Sequence, residues 1–188
     1  MRLTKGLPQT TVETFTFLKQ TDITGLIRLL AEHRGHHSAR DRFYRLLYSC
    51  LIFDHYSDVY RRQNPVNGIA SGWYQLADLA DVGRIYRELL PITDESVIGD
   101  ITLTLPITSA SPLFQNSAPR SPPALPQGEC TVRQLTARQF IEVCWVVRCN
   151  LLHGSYDPTV QEVSTLIRNV SRPFSALVWR MICETPMR

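Results

Sequence analysis

The sequence has almost no lysine. Of its 20 basic residues only Lys5 and Lys19 are lysines, and the other 18 are arginines. It has no Cys-x-x-Cys pair, and its first 20 residues are polar and mixed rather than a signal peptide. No apolar run approaches the ~20 residues of a membrane span. The five cysteines (Cys50, Cys130, Cys144, Cys149 and Cys183) are odd in number, and several fall in apolar helical runs. That usage argues against a disulfide framework and against a zinc site. No carboxylate cluster suits a hard metal ion, so no metal and no cofactor are expected. Together these absences predict a cytoplasmic protein with no membrane partner.

What is present is a chain of 188 residues with a formal net charge of +3. That length supports one domain with a real core. Arginine is the better residue for forked phosphate contacts, although a GC-rich coding sequence explains the bias equally well.

Taken in order, residues 1–37 read as a lead-in and a short helix. Thr10 to Phe17 could form a short strand. Asp22 is placed to cap a helix to about Arg34, and Gly35-His36-His37-Ser38 breaks it. The residues from 38 to 185 read as one helical domain. Ser38 caps a long helix to about Arg62, with a stripe of Phe43, Leu46, Leu47, Cys50, Phe53 and Ser57. Asn64-Pro65-Val66-Asn67-Gly68 is a turn. A third helix is predicted from about Ser71 to Leu90, stopped by Pro91. Thr93-Asp94-Glu95 opens a short fourth helix toward Leu105.

Residues 106–127 hold six of the twelve prolines and many serines. They read as a long exposed loop of disordered composition. The loop contains Pro-x-x-P spacings, such as Pro119-Arg120-Ser121-Pro122, for which a plain linker is the commoner explanation. Thr131-Val132-Arg133-Gln134 is a capping-box start for the next helix. Asp157-Pro158 opens another, carrying Val160, Val163, Leu166, Ile167 and Val170, which Arg172-Pro173 bends or restarts. Phe174 to Ile182 closes the chain. The sum is an all-α bundle of five to seven helices with a long Pro/Ser-rich loop.

The most informative stretch is Arg148-Cys149-Asn150-Leu151-Leu152-His153-Gly154. It follows Phe140-Ile141-Glu142-Val143-Cys144-Trp145-Val146-Val147, a run apolar on most faces and therefore buried. Arg148 is then a cation at the edge of a core and needs a partner or a wet cleft. Gly154 ends the helix, which puts His153 among the unsatisfied carbonyls of the last turn. Arg-x4-His alone is weak, since the chain's 18 arginines and 5 histidines give about half a match by chance. A second match, Arg28-Leu29-Leu30-Ala31-Glu32-His33, lacks both the amide and the glycine.

The first of these segments resembles the signature of the HEPN superfamily (higher eukaryotes and prokaryotes nucleotide-binding). That signature is Arg, four to six residues, then His, often as R-N-N-L-x-H-G. Arg148, Asn150, Leu151, His153 and Gly154 match it, and Cys149 departs where Asn, Asp or His is common. Arg42-Phe43 and Phe53-Asp54-His55-Tyr56 are similar to the R-F and F-N-x-x-Y residues of the first bundle helix in such proteins. The resemblance spans about residues 38–185. It implies a helical bundle and a metal-independent endoribonuclease. It also implies a homodimer, with paired motifs lining one composite groove at the interface, and a role as a toxin or host-defence effector.

RNA is cut by its own 2′-hydroxyl when a site removes that proton and stabilises charge on phosphorus. His153 suits the proton step, Arg148 suits the phosphate, and Asn150 could orient His153 or hold a phosphate oxygen. Arg42 and Arg45 on the long helix, with Arg34, Arg40, Tyr44 and Tyr48, could form an RNA track, and Tyr156 could border the cleft. On one ideal helix Arg148 and His153 point roughly 140° apart, so the last turn must unwind or two chains must share the cleft.

The alternative for each residue is structural. Arg148 pairs with a buried acid such as Asp54, His153 caps the helix, and the arginines form a solvated face. His33, His36 and His37 read as solvent-exposed. The competing function is a non-catalytic helical module that binds RNA, a nucleotide, or a partner such as a nucleotidyltransferase antitoxin.

Overall fold

The computed structural model describes residues 22–63, 69–93, 96–105, 124–152, 157 and 159–184. Among these are six α-helices and one two-stranded antiparallel sheet. The expected strand at Thr10–Phe17, the turn at Asn64–Gly68 and most of the Pro/Ser-rich loop (106–123) lie outside the described residues.

Helix α1 (Ile23–His33) starts where Asp22 accepts a 2.7 Å hydrogen bond from the Gly25 amide. Helix α2 (Ala39–Gln63) starts where the Ser38 hydroxyl accepts from the Asp41 amide at 3.1 Å. Both are side-chain caps of donors that the first turn leaves unpaired. At 25 residues, α2 is about 37 Å long. It packs against α1, against α3 (Ile69–Ala77), against α5 (Ala137–Leu152) and against α6 (Gln161–Glu184). The single stripe expected of α2 widens accordingly, and every residue from Arg45 to Phe53 is buried.

The segment expected to form one helix from Ser71 to Leu90 forms two. Helix α3 stops at Ala77, and α4 (Ala80–Leu89) restarts after Leu79, whose backbone is extended at ψ 134°. The carboxylate of Asp78 at the break pairs with Arg138 at 2.6 Å. On the two sides of the break Trp73, Leu76, Val82, Ile85 and Leu89 are all buried, α3 packing on α2 and α5, and α4 on α6 and α5.

The expected fourth helix is corrected more fully. Ile98–Asp100 makes one 3-10 turn, and Thr102–Leu105 is strand β1, paired with β2 (Gly128–Thr131). β-Branched residues fill this stretch, and they fit a half-buried strand better than a helix. The pairing sets Leu103 opposite Cys130, and both are buried. Gly128 opens β2 at φ +82°, where a side chain would be strained. From the loop's far end, Leu125 packs on the core and the Ala124 carbonyl accepts from Gln139 Nε2.

The capping box at Thr131–Gln134 is present, but it opens only the 3-10 turn Val132–Gln134. A second box five residues on starts α5. The Thr136 hydroxyl accepts from the Gln139 amide at 3.2 Å, and Gln139 Oε1 accepts from the Thr136 amide at 2.9 Å. At Arg172-Pro173, where a bend or a restart was expected, helix α6 does not restart. It runs through Pro173, because Val170, Phe174, Leu177 and Val178 are buried on both sides of it. Arg172 donates to the Ser96 hydroxyl at 2.8 Å and also to the Ser96 carbonyl, which holds that turn down.

The core joins these helices through aromatic rings. Trp73 lies 4.7 Å from Phe53, 5.2 Å from Trp145 and 5.7 Å from Phe174, centroid to centroid. Such pairs contribute about 0.5–1.5 kcal/mol each beyond the area they bury. Trp73 reaches this position because Gly72 beside it lets α3 approach α2. A Cβ there would collide with the Ser57 hydroxyl and the Arg61 stem. Gly72→Ala is therefore expected to destabilise the fold by about 1–3 kcal/mol in urea denaturation. Gly35→Ala, where a Cβ meets nothing within 4 Å, is expected to change stability by less than about 0.5 kcal/mol.

Candidate functional site at the end of helix five

Helix α5 is buried from Phe140 through Leu151. Arg148 is 8% exposed and Asn150 is fully buried. The Arg148 guanidinium is held from two sides. Its Nη2 donates to Asp54 Oδ2 at 2.8 Å, and its central carbon lies 5.0 Å from the Trp145 ring centroid. The other oxygen of Asp54, Oδ1, accepts from Trp73 Nε1 at 2.7 Å. One carboxylate on α2 thus receives donors from α3 and α5.

The pairing fixes the charge state. Burial alone pushes the guanidinium pKa down. The charge and hydrogen bond of Asp54, with the neighbouring thiols, reverse that, and the net shift is upward. Arg148 is a permanent cation. Cys149, where the resembling signature usually carries a polar residue, is 1% exposed. Burial raises its thiol to about 11 despite the adjacent guanidinium, so it is protonated at neutral pH and is no nucleophile. Burial also raises the Cys50 thiol well above its ordinary value. All five cysteines are free.

A second buried polar pair lies nearer the start of α5. The Tyr74 hydroxyl donates to Glu142 Oε2, and Arg138 lies over the Tyr74 ring at 5.4 Å. Burial raises the Glu142 carboxyl above its ordinary range, against the opposing hydrogen bond from Tyr74.

The structure brings the candidates together only in part. Arg148 and Asn150 lie on the last turns of α5, and His153 and Tyr156 lie outside the described residues. Arg42 is half-buried on α2. Arg45 is 5% exposed and its Nη1 donates to the Arg34 carbonyl at 3.3 Å, so it belongs to packing and not to an open track. Tyr48 is likewise buried at 5%. His36 and His37 are exposed, as expected. His33 is not, because its Nδ1 pairs with Asp41 Oδ1 at 2.8 Å. Trp73 was not singled out from sequence, since a tryptophan among apolar residues reads as core and nothing local marks its N–H partner. Among the described residues no three His, Cys, Asp or Glu side chains gather as a metal site, and no helix is long and apolar enough to cross a membrane. No family model, no curated protein and no solved structure matches the chain.

Two expectations follow. Removing one partner of a buried ion pair strands the other, at about 3–5 kcal/mol. Asp54→Ala should therefore destabilise the fold by about that amount, and the double change Asp54→Leu, Arg148→Met should recover most of the loss in the same urea titration. The second concerns pH. The folded pKa of Glu142 is raised, so its contribution is fully present below about pH 4.5 and is lost as pH rises through the folded value. Relative to Glu142→Gln, which keeps an oxygen to accept from Tyr74, wild-type stability should fall over that window.

Proposed function

We propose that this chain is a metal-independent endoribonuclease of HEPN type, with its site at the C-terminal end of α5. The observation that carries the reading is the 2.8 Å bond between Asp54 and Arg148. It joins the two stretches on which the resemblance rests, Phe53-Asp54-His55-Tyr56 on α2 and Arg148-Cys149-Asn150-Leu151-Leu152-His153-Gly154 on α5. A guanidinium clamped by a carboxylate and an indole is oriented before substrate arrives, which is what stabilisation of developing charge requires.

In the proposed reaction His153 takes the 2′-hydroxyl proton and the 2′-oxygen bonds to phosphorus. The bond from phosphorus to the 5′-oxygen breaks and a protonated His153, of the same chain or its two-fold mate, gives that oxygen its proton, leaving a 2′,3′-cyclic phosphate and a 5′-hydroxyl. Arg148 stabilises charge on the non-bridging oxygens. Asn150 is fully buried, so it acts as a positioning residue for the helix end. Two chains pair about a two-fold axis, so that Arg148 and His153 of both line one groove. The biological setting is a toxin or antiviral effector restrained by an antitoxin or a defence-system partner.

One observation favours a second reading. Arg148 is nearly buried and already neutralised by Asp54, as in a bundle whose motif only ties α5 to α2. The chain is then a non-catalytic module that binds RNA, a nucleotide or a nucleotidyltransferase-type partner.

RNA cleavage in EDTA separates the two. Under the first reading His153→Ala lowers cleavage by about 10²–10⁴ while circular dichroism shows an unchanged fold, Arg148→Ala also abolishes it, and Arg28→Ala leaves it intact. Absence of wild-type cleavage from a folded dimer, or full activity in His153→Ala, would sink the nuclease reading.

A further inference from the structure

We propose that the corner between α1 and α2 is a second RNA contact, a phosphate-binding site built on His33, Arg34 and Arg40. It rests on RNA being the ligand of this chain, and not on cleavage at α5.

Charge distribution is the first observation. From Arg28 to Arg45 the chain carries five arginines against Glu32 and Asp41, a formal balance of +3. The whole chain also sums to +3, so everything outside this corner is neutral in total. By formal count the excess positive charge of the chain falls in this stretch. Arg28, Arg34 and Arg40 are exposed and Arg42 is half-buried.

The second observation is that the corner is built rather than merely basic. Asp41, its one acid in the turn itself, is fully engaged. It accepts from His33 Nδ1 at 2.8 Å with one oxygen and from the Ser38 hydroxyl with the other. These hydrogen bonds hold its carboxyl below the usual carboxylate range. The His33 ring is packed 5.3 Å from Tyr44 and 5.5 Å from Tyr48, with the two tyrosines stacked on each other at 5.8 Å. Arg40 lies over the Tyr44 face at 5.6 Å, and Arg34 lies over Trp179 at 4.3 Å.

A histidine oriented through Nδ1 by a carboxylate presents Nε2 in a fixed direction. Arginines laid on aromatic faces lose little freedom when they take a phosphate oxygen. The Ser38 hydroxyl already accepts from the first-turn amide of Asp41, so side chains and not the helix terminus make the site. The chemistry that fits is the phosphodiester backbone of single-stranded RNA, bound without base readout.

The test is fluorescence anisotropy of the full chain with a labelled single-stranded 2′-O-methyl RNA, which lacks the hydroxyl needed for cleavage, titrated with salt. Arg34→Ala, Arg40→Ala together should weaken binding at least tenfold and flatten the log affinity against log salt slope by about 1.4, two phosphates at ~0.7 each. His33→Gln should weaken binding severalfold. Arg84→Ala, Arg180→Ala removes equal charge from the ion-paired surface of α4 and α6 and should stay within twofold of wild type. Equal loss in both double variants, or none in the corner variant, would overturn the proposal. His153-dependent cleavage of ordinary RNA with unchanged binding by the corner variant would leave the nuclease and remove the corner. Corner-dependent binding without any cleavage would do the reverse.

Discussion

A cation inside a helical bundle has to bring its counter-charge with it, and Arg148 organises this molecule through that need. Its partner lies 94 positions earlier in the chain, on the longest helix. Apolar packing alone allows α5 to slide or rotate on α2 at modest loss, since hydrophobic burial has no direction. The ion pair does not allow it. A shift by one residue would leave a guanidinium and a carboxylate unpaired at low dielectric, and Trp73 would lose the acceptor for its indole N–H. The Tyr74–Glu142 bond performs the same service between α3 and the first half of α5. Two polar ties set the register of α5 against α3 and α2, and the surrounding aromatic rings supply the bulk of the burial.

Local cap signals located two helix starts and misplaced a third, since the box at Thr131 opens only a 3-10 turn and α5 starts at the box five residues on. Asp22 and Ser38 cap the helices they were expected to cap, and Pro91 follows the end of α4. The all-α architecture followed from the same periodicities. The other misreadings occurred where a distant partner decides. Thr102 to Leu105 become a strand because Gly128 to Thr131 lie alongside, across the Pro/Ser-rich loop. The predicted helix from Ser71 to Leu90 breaks at Asp78, whose carboxylate meets an arginine 60 residues away. At Arg172-Pro173 the restart, one of the two outcomes expected there, does not occur, because burial on both sides outweighs one missing donor.

At the candidate site, burial of the run before Arg148 was visible as unbroken apolarity, and Asp54 was the acid named as its structural partner. Two features were not visible. Trp73 as a donor depends on the close approach at Gly72. The pairing of His33 depends on a tight turn that brings Asp41, eight residues on, back onto the end of α1. A basic residue in a broken, glycine-containing stretch reads as solvated until that turn is known.

The carboxylate that neutralises Arg148 does not disqualify it as a phosphate ligand. Two unit charges 4 Å apart interact by about 4 kcal/mol at an effective dielectric of 20, and the energy falls inversely with distance. A phosphate oxygen meeting the guanidinium at about 4 Å, on the side away from Asp54, would stand about 7 Å from that carboxylate. Attraction of about 4 kcal/mol then exceeds a repulsion of about 2.4 kcal/mol. The balance is smaller than for an unpaired arginine, and that matters to catalysis. Attraction and repulsion both scale with the charge on the phosphate, so the paired guanidinium favours the more highly charged transition state in the same proportion as an unpaired one, at less than half the magnitude. Under the proposed nuclease reading, affinity for RNA would come from elsewhere on the surface, and by formal count the excess positive charge of this chain falls in the α1–α2 corner.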